Sequence, residues 1–269
     1  MIEILDPGPL TTVQDLGRPG LAHLGVPPSG AADTLALEVG NRLVGNRRDA
    51  AALEATLIGP RLRFERAATI ALTGACEPRR ITVAAGEELR VGPCFSGARV
   101  YVCVRGGIDV PEVLGSCSTD LLTGIGPAPL RAGDRVAIGP EPAGDLEDVS
   151  TRLLHDGPLR VVPGPRDDWF ADGALDTLCR GAWSVSTRAN RIGVWLDGPA
   201  LERARTDELE SEGLVTGALQ VPSGGKPILL LNDHPTTGGY PVIAVVHSND
   251  LPRAGQLRTG DTVSFRLYP

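Results

Sequence analysis

A chain of 269 residues with 42% hydrophobic and 22% charged side chains has the composition of a folded globular protein and is long enough for two domains. A formal net charge of -7 argues against the basic stripe by which proteins hold a phosphate backbone, so no nucleic acid partner is expected. With 34 glycines and 23 prolines spread along its length, the chain predicts many turns between short strands and therefore a mainly β fold.

The N-terminal MIEILDPGPL lacks the basic and apolar regions of a secretory leader, and no apolar run is long enough to cross a bilayer. A soluble, cytoplasmic protein without a membrane partner is expected. Ile2 to Leu5 reads as a strand, and the segment Thr11 to Gly20 carries Gln14, Asp15 and Arg18 at a density high for a connector. Ala31 to Val44 is the clearest helix: Leu35, Val39 and Leu43 recur at i, i+4 and i+8, Ser29 is placed to cap it, and Asp33 falls in its first turn, where a carboxylate complements the helix dipole. Strands follow at Ala68 to Thr73, Ile81 to Ala84, Val100 to Val104 and Arg135 to Ile138. Cys103 alternates with Tyr101 in one of them and is expected in the core; five cysteines without a C-x-x-C pair indicate neither a disulfide framework nor a zinc site.

Glu141 to Ser150 is acidic and aperiodic and reads as a linker, giving domains at 1–145 and 155–269. Beyond it Leu159 to Val162, Ser184 to Ser186 and Ile192 to Leu196 read as strands, Asp167 to Arg180 has roughly helical spacing, and Leu201 to Leu209 is too charged for the core. Leu130-Arg131-Ala132-Gly133-Asp134 and Leu257-Arg258-Thr259-Gly260-Asp261 recur 127 residues apart, and the same offset lays Tyr101 to Val104 on Ile228 to Leu231, as expected of two copies of one β domain.

The densest polar stretch runs from Asn232 to Pro241, NDHPTTGGYP, between Ile228 to Leu231 and Val242 to Val246, which read as paired buried strands. It is either a loop that presents a carboxylate, an imidazole, two hydroxyls and a phenol to a ligand, or a hairpin turn made of turn-forming residues. His234 reads as solvated. Ser223-Gly224-Gly225-Lys226 resembles the end of a phosphate-binding loop, but Gln220 stands in place of its first glycine and Pro227 in place of its magnesium-binding hydroxyl. The four histidines lack metal-ligand spacing, so no metal is expected.

Taken together, Thr12-Val13-Gln14-Asp15-Leu16-Gly17-Arg18, Pro28-Ser29-Gly30-Ala31-Ala32-Asp33, Leu72-Thr73-Gly74-Ala75, Gly106-Gly107-Ile108, Val113-Leu114-Gly115-Ser116, Asn190-Arg191, Ser211-Glu212-Gly213 and Thr236 to Pro241 resemble the KipA, allophanate-hydrolase-subunit-2 or PxpC-type 5-oxoprolinase subunit family, which is biotin-dependent-carboxyltransferase-like. The resemblance covers nearly the whole chain. It implies two cyclophilin-like β-barrel domains with a few short helices, and a hydrolase subunit acting on C–N bonds of small amides, of 5-oxoprolinase or allophanate hydrolase type, or else a urea-type carboxyltransferase. Implied partners are a KipI/PxpB-like companion, a LamB/PxpA-like or biotin carboxylase subunit, and a small amide or urea-like substrate. The chain carries no recognisable cofactor motif; ATP, or carboxybiotin on a partner, is implied by the resemblance. The alternative is a regulatory module that antagonises a KipI-like sensor-kinase inhibitor.

Within the matching motifs, the expected catalytic residues are Asp15, Arg18, Arg191 and Asp233, with guanidiniums facing a developing oxyanion and carboxylates orienting the nitrogen. Expected substrate-binding residues are Gln14, Ser29, Gly106, Gly107, Asn190, Thr236, Thr237, Gly238, Gly239 and Tyr240, the backbone N–H groups of the two Gly-Gly pairs serving as oxyanion donors. The chain departs from the family's D-R-Q-T-T-G-G-Y-P-K loop at His234, Pro235 and Val242, and carries Cys117 and Ala189 where Arg and Ser are usual.

Overall fold

The computed structural model of the protein describes residues 1–144, 146 and 157–268. The chain divides into two compact units, Met1–Pro19 with Ser29–Leu153 and Gly20–Pro28 with Leu154–Pro269. The stretch expected as a linker, 141–150, and the expected boundary between 145 and 155 lie for the most part outside the described residues.

In the first unit the elements are β1 (Ile2–Asp6), β2 (Thr11–Gln14), α1 (Thr34–Leu43), β3 (Ala52–Thr56), β4 (Ile58–Phe64), β5 (Ala68–Gly74), β6 (Arg79–Val83), β7 (Glu88–Pro93), β8 (Arg99–Val104), β9 (Ile108–Asp109) and β10 (Arg135–Ile138). They form two antiparallel five-stranded sheets, β7-β4-β1-β10-β9 and β2-β3-β8-β5-β6. Side chains alternate across a strand, so one face of each sheet can be apolar. Ile2, Ile4, Leu62 and Phe64 of the first sheet join Val13, Leu53, Ile70, Leu72, Val102 and Val104 of the second in one core. The opposite face of the second sheet offers Ala52, Ala71, Tyr101 and Cys103 to α1, so β8 is buried on both faces, with Cys103 in the core as its alternation implies.

The helix lies closer to the sheet than its leucine stripe suggests. Its buried positions are Ala36, Leu37, Gly40, Asn41 and Leu43, while Leu35 is exposed and Val39 only half-buried. Thr73 donates its hydroxyl to the Ala36 carbonyl at 2.7 Å, and a Cβ on Gly40 would stand 2.5 Å from Cys103 Sγ. Close approach selects small residues here rather than the large ones that periodicity favours. Nor does Ser29 cap this helix: Asp33 does, accepting from the Ala36 N–H at 2.9 Å, while Ser29 lies outside in the left-handed region at φ 52°.

The second unit contains β11 (Leu159–Pro163), α2 (Ala174–Arg180), β12 (Trp183–Val185), β13 (Gly193–Asp197), β14 (Glu212–Gly213), β15 (Ala218–Gln220), β16 (Ile228–Leu230), β17 (Thr237–Gly238), β18 (Val242–Val246), α3 (Leu251–Ala254), β19 (Thr262–Val263) and β20 (Phe265–Leu267). Eight strands form one sheet, β19-β12-β13-β16-β15-β18-β11-β20, and β14 pairs with β17 in a separate ribbon. The two edge strands are separated by Ser264 alone, which curls the sheet into a nearly closed barrel around Val161, Trp183, Val194, Leu196, Leu219, Leu229, Ile243 and Phe265. The fold is mainly β with short helices, as expected.

Three expectations for this unit are corrected. β16 and β18 are not paired; β15 lies between them, so the stretch from Asn232 to Pro241 is a crossover rather than a simple hairpin turn. Its Thr237 and Gly238 instead pair with β14. The helical spacing of 167–180 resolves into a short 3-10 turn at Asp167–Trp169 and α2, broken by Gly173 at φ 83°.

The repeated turns are the same in detail. Gly133 has φ 90° and Gly260 φ 88°; the Arg131 N–H donates to Asp134 Oδ2 at 2.7 Å and the Arg258 N–H to Asp261 Oδ2 at 2.8 Å. Gly133 N–H donates to the Ile4 carbonyl and Gly260 N–H to the Val185 carbonyl, both at 2.8 Å. Strand order is not shared, since β8 lies between β3 and β5 of a five-stranded sheet and β16 between β13 and β15 of an eight-stranded one.

Replacing Gly40 by alanine overpacks the α1 contact and is expected to cost about 1–3 kcal/mol in denaturant unfolding. Gly86→Ala, at a left-handed position (φ 79°) with nothing within 4 Å of where its Cβ would be, serves as a comparison whose cost of about 1 kcal/mol comes from backbone strain. A neutral Gly40→Ala would refute the packing account of this helix.

Candidate functional site

In the first unit β2 delivers Gln14 and then Asp15 to a loop that spans 113–120. Asp15 is buried, and its carboxylate gathers four donors: Oδ1 accepts from Gly17 N–H at 2.7 Å, Ser116 Oγ at 2.6 Å and Ser118 Oγ at 2.5 Å, and Oδ2 from Cys117 N–H at 2.6 Å. Beside it the buried Arg18 guanidinium donates to the carbonyls of Val113 at 3.2 Å and Ser118 at 2.6 Å, and to Ser29 Oγ at 2.9 Å. Ser29 in turn donates its hydroxyl proton to Asp120 Oδ2 at 2.8 Å. A buried cation, a strained serine and a buried carboxylate therefore form one chain, in which Arg18 fixes the loop. Gly30 is forced by this packing: a Cβ there would stand 2.8 Å from Gly17 N.

Gln14 is fully buried and donates to Thr12 Oγ1 at 3.1 Å and to the Thr119 carbonyl at 3.0 Å. Gly106 and Gly107 do not supply oxyanion donors, because the Gly106 N–H is committed to Asn46 Oδ1 at 2.8 Å and the Gly107 N–H to the Val104 carbonyl at 2.7 Å. Gly106 is there for space: at φ 98°, a Cβ would stand 2.5 Å from the Gly139 carbonyl oxygen.

A second polar cluster in this unit has no counterpart among the expected site residues. Glu54, inside β3, accepts from Tyr101 Oη at 2.6 Å and from Ala32 N–H at 3.0 Å, and Arg99 stands 3.5 Å from its other oxygen. Asp33 N–H donates to Tyr101 Oη at 2.8 Å, so the segment that carries Ser29 is pinned at both Ala32 and Asp33. Burial, followed by the Glu54 charge, raises the Tyr101 pKa well above the ordinary phenol value and keeps the phenol protonated. The only signal for this cluster in the sequence is a Glu and a Tyr set inside apolar strand sequences.

In the second unit Arg191 and Asp233 form a two-pronged ion pair, Nε to Oδ2 and a terminal nitrogen to Oδ1 both at 2.9 Å, with side chains 1% and 0% exposed. The Asp233 N–H donates to the Arg191 carbonyl at 3.0 Å, tying the exit of β16 to the turn before β13. Asn190 shapes that turn, its Oδ1 accepting from Ile192 N–H at 2.8 Å. His234 is buried rather than solvated: its Nδ1 lies 2.7 Å from the Pro235 carbonyl, and Val242 is likewise interior, so two positions where the family carries cations face inward here. Past this base the loop surfaces. Thr237, Gly239 and Tyr240 are exposed, and Thr236 and Gly238 are half-buried. Gln220 Nε2 holds the Tyr240 carbonyl at 3.1 Å, and a Cβ on Gly238 would stand 2.9 Å from that same nitrogen. Gly239 N–H has no partner among the described residues.

Removing one member of the Arg191–Asp233 pair leaves a buried charge unmatched, so Arg191→Ala and Asp233→Ala are each expected to cost about 3–5 kcal/mol in denaturant unfolding, and Arg191→Met with Asp233→Leu far less than their sum. Additive losses would show that the pair is not coupled. Burial, and secondarily the Asp15 charge, pushes the Cys117 thiol up to about 11. Its alkylation rate is therefore expected to stay low at neutral pH and to climb as pH approaches that value, measured against a Cys117→Ser control; a rate already at its plateau at neutral pH would contradict the geometry.

Residues 24–267 match the carboxyltransferase domain, subdomain A and B. The chain is 41% identical to the C subunit of 5-oxoprolinase from Escherichia coli K12, over 98% of this chain and 90% of that protein. It is 34% identical to a urea amidolyase of Lachancea kluyveri, again over 98% of this chain but only 17% of the longer protein. The crystal structure of Kluyveromyces lactis urea carboxylase superposes with a TM-score of 0.88 at 33% identity, covering 100% of this chain and 27% of that one. The chain therefore belongs to the carboxyltransferase-domain family, subdomains A and B, together with the C subunits of 5-oxoprolinase and the corresponding segment of urea amidolyases.

Proposed function

We propose that this protein is a subunit of an ATP-dependent hydrolase that opens the lactam of 5-oxoproline, acting beside a KipI/PxpB-like companion and a LamB/PxpA-like subunit. The observation that carries this reading is the 41% identity to the 5-oxoprolinase C subunit across 90% of that protein, against a urea amidolyase of which the match spans 17%. Opening an amide places negative charge on its carbonyl oxygen, and donors fixed in advance lower that barrier most. The loop from Thr236 to Tyr240 offers such donors: two hydroxyls, the Gly239 N–H and a phenol, on a base locked by Arg191 and Asp233. In this reading Arg191, Asp233, Arg18 and Asp15 are positioning residues, and Thr236, Thr237, Gly239 and Tyr240 touch the substrate. ATP is supplied to the complex and has no motif in this chain.

A second reading, carboxyl transfer to a urea-like nitrogen from a biotin carried on a partner, is favoured by the likeness to urea carboxylase. Reconstitution with the companion subunits distinguishes the two. Glutamate is expected to form from 5-oxoproline in an ATP-dependent manner, with Thr237→Val lowering kcat/KM about tenfold or more while leaving stability within about 0.5 kcal/mol. Carboxylated urea in the presence of a biotinylated partner, with no glutamate, would replace the first reading by the second.

A further inference from the structure

The second unit also holds a cavity of about 340 Å³ whose lining includes Leu201, Arg203, Arg205, Thr206, Ser223 and Gly224, none of them assigned to the lactam site. Its two walls are the charged segment after Leu201 and the turn whose sequence resembles the end of a phosphate-binding loop.

The turn is built in place. Gly225 N–H donates to the Pro222 carbonyl and Leu201 N–H to the Gly225 carbonyl, both at 2.9 Å, and a Cβ on Gly225, at φ 72°, would stand 3.1 Å from Ala200 Cβ. Gly224 lies beyond this anchor, exposed, with nothing within 4 Å of where its Cβ would be, and its N–H has no partner among the described residues. Across from it Arg203 donates one terminal nitrogen to the Val221 carbonyl, while its Nε–H is buried without a partner among the described residues. Arg205 packs 5.6 Å over the Trp169 ring and stands 3.1 Å from Asp168. Glu202 is the one carboxylate in the lining, set against two arginines, and Ala200 is its exposed apolar residue. Lys226 is not part of this set; it is turned to Asp197 at 2.7 Å. With Gln220 in place of the first glycine of a phosphate-binding loop, Pro227 in place of its magnesium-binding hydroxyl and Lys226 turned away, the cavity lacks the parts that hold a nucleotide.

We propose that this cavity binds a small organic anion, its anionic oxygens on Arg203, Ser223 and the Gly224 N–H and its apolar body against Ala200. Arginine with an exposed backbone N–H suits carboxylate and phosphoryl oxygens alike, and the size admits one small molecule.

The test uses the whole chain without its companions and reads binding alone, so failure of the lactam reading leaves it unaffected. Sodium butyrate and sodium phosphate are titrated at constant ionic strength while the Arg203 Nε–H and Gly224 amide resonances are followed by NMR. Saturable shifts of both resonances are expected, with affinity about tenfold weaker in Arg203→Gln and in Ser223→Ala. The second variant guards against loss of the Arg203–Val221 contact. Saturation by butyrate alone identifies a carboxylate, by phosphate alone a phosphoryl group, and by both a site that reads anionic oxygens in general. Linear shifts, shifts reproduced by chloride, or binding unchanged in Ser223→Ala and in every folded Arg203 variant would overturn the proposal.

Discussion

A carboxylate taken out of water must be met at close range by donors or a cation, and this constraint organises the candidate centres of both units. Asp15 meets it with two serine hydroxyls and two backbone N–H groups, and Asp233 with one guanidinium. Each solution draws together segments distant in sequence: 15–18 with 113–120, and 190–191 with 232–234. These contacts fix the bases of the polar loops, and in the second unit the β14–β17 ribbon adds a short ladder farther along. The apolar cores supply the bulk of the stability, while an arrangement of the loops that left one of these buried charges unmatched would be strongly penalised.

That organisation explains which readings of the sequence hold. Strands with clear alternation or β-branched runs, such as Val100 to Val104 and Val242 to Val246, are found where expected, because burial on one or both faces leaves a direct compositional trace. Ala52–Thr56 and Ala218–Gln220 leave no such trace: each has a polar residue, Glu54 or Gln220, serving an interior hydrogen bond, and periodicity treats such a residue as surface. The Leu35-Val39-Leu43 stripe misleads for the opposite reason, since close helix-to-sheet contact rewards Gly40 and Ala36 over leucine. The site residues are visible as dense polar groups, but their partners are not. Nothing in the local sequence announces that Asp233 will meet Arg191, or that Ser116 and Ser118 will close around Asp15.

The buried His234 and Val242 bear on how this chain differs from the family pattern. A long cation at an interior position needs a counter-charge or a route to water, whereas an imidazole bonded to the neighbouring carbonyl and an aliphatic side chain need neither. The substitutions therefore alter the foundation of the loop more than its exposed tip, where Thr237, Gly239 and Tyr240 keep the family sequence.

The eight-stranded sheet carries a kinetic implication. β11 pairs in parallel with β20, Leu159 beside Phe265, and β12 pairs with β19, Trp183 beside Val263. Contacts this remote require most of the loop-closure entropy to be lost before they return any stabilisation, and high contact order of this kind slows folding. The second unit is thus expected to fold more slowly than a helical domain of its size, with its apolar strands accessible to chaperones or to aggregation until the sheet closes.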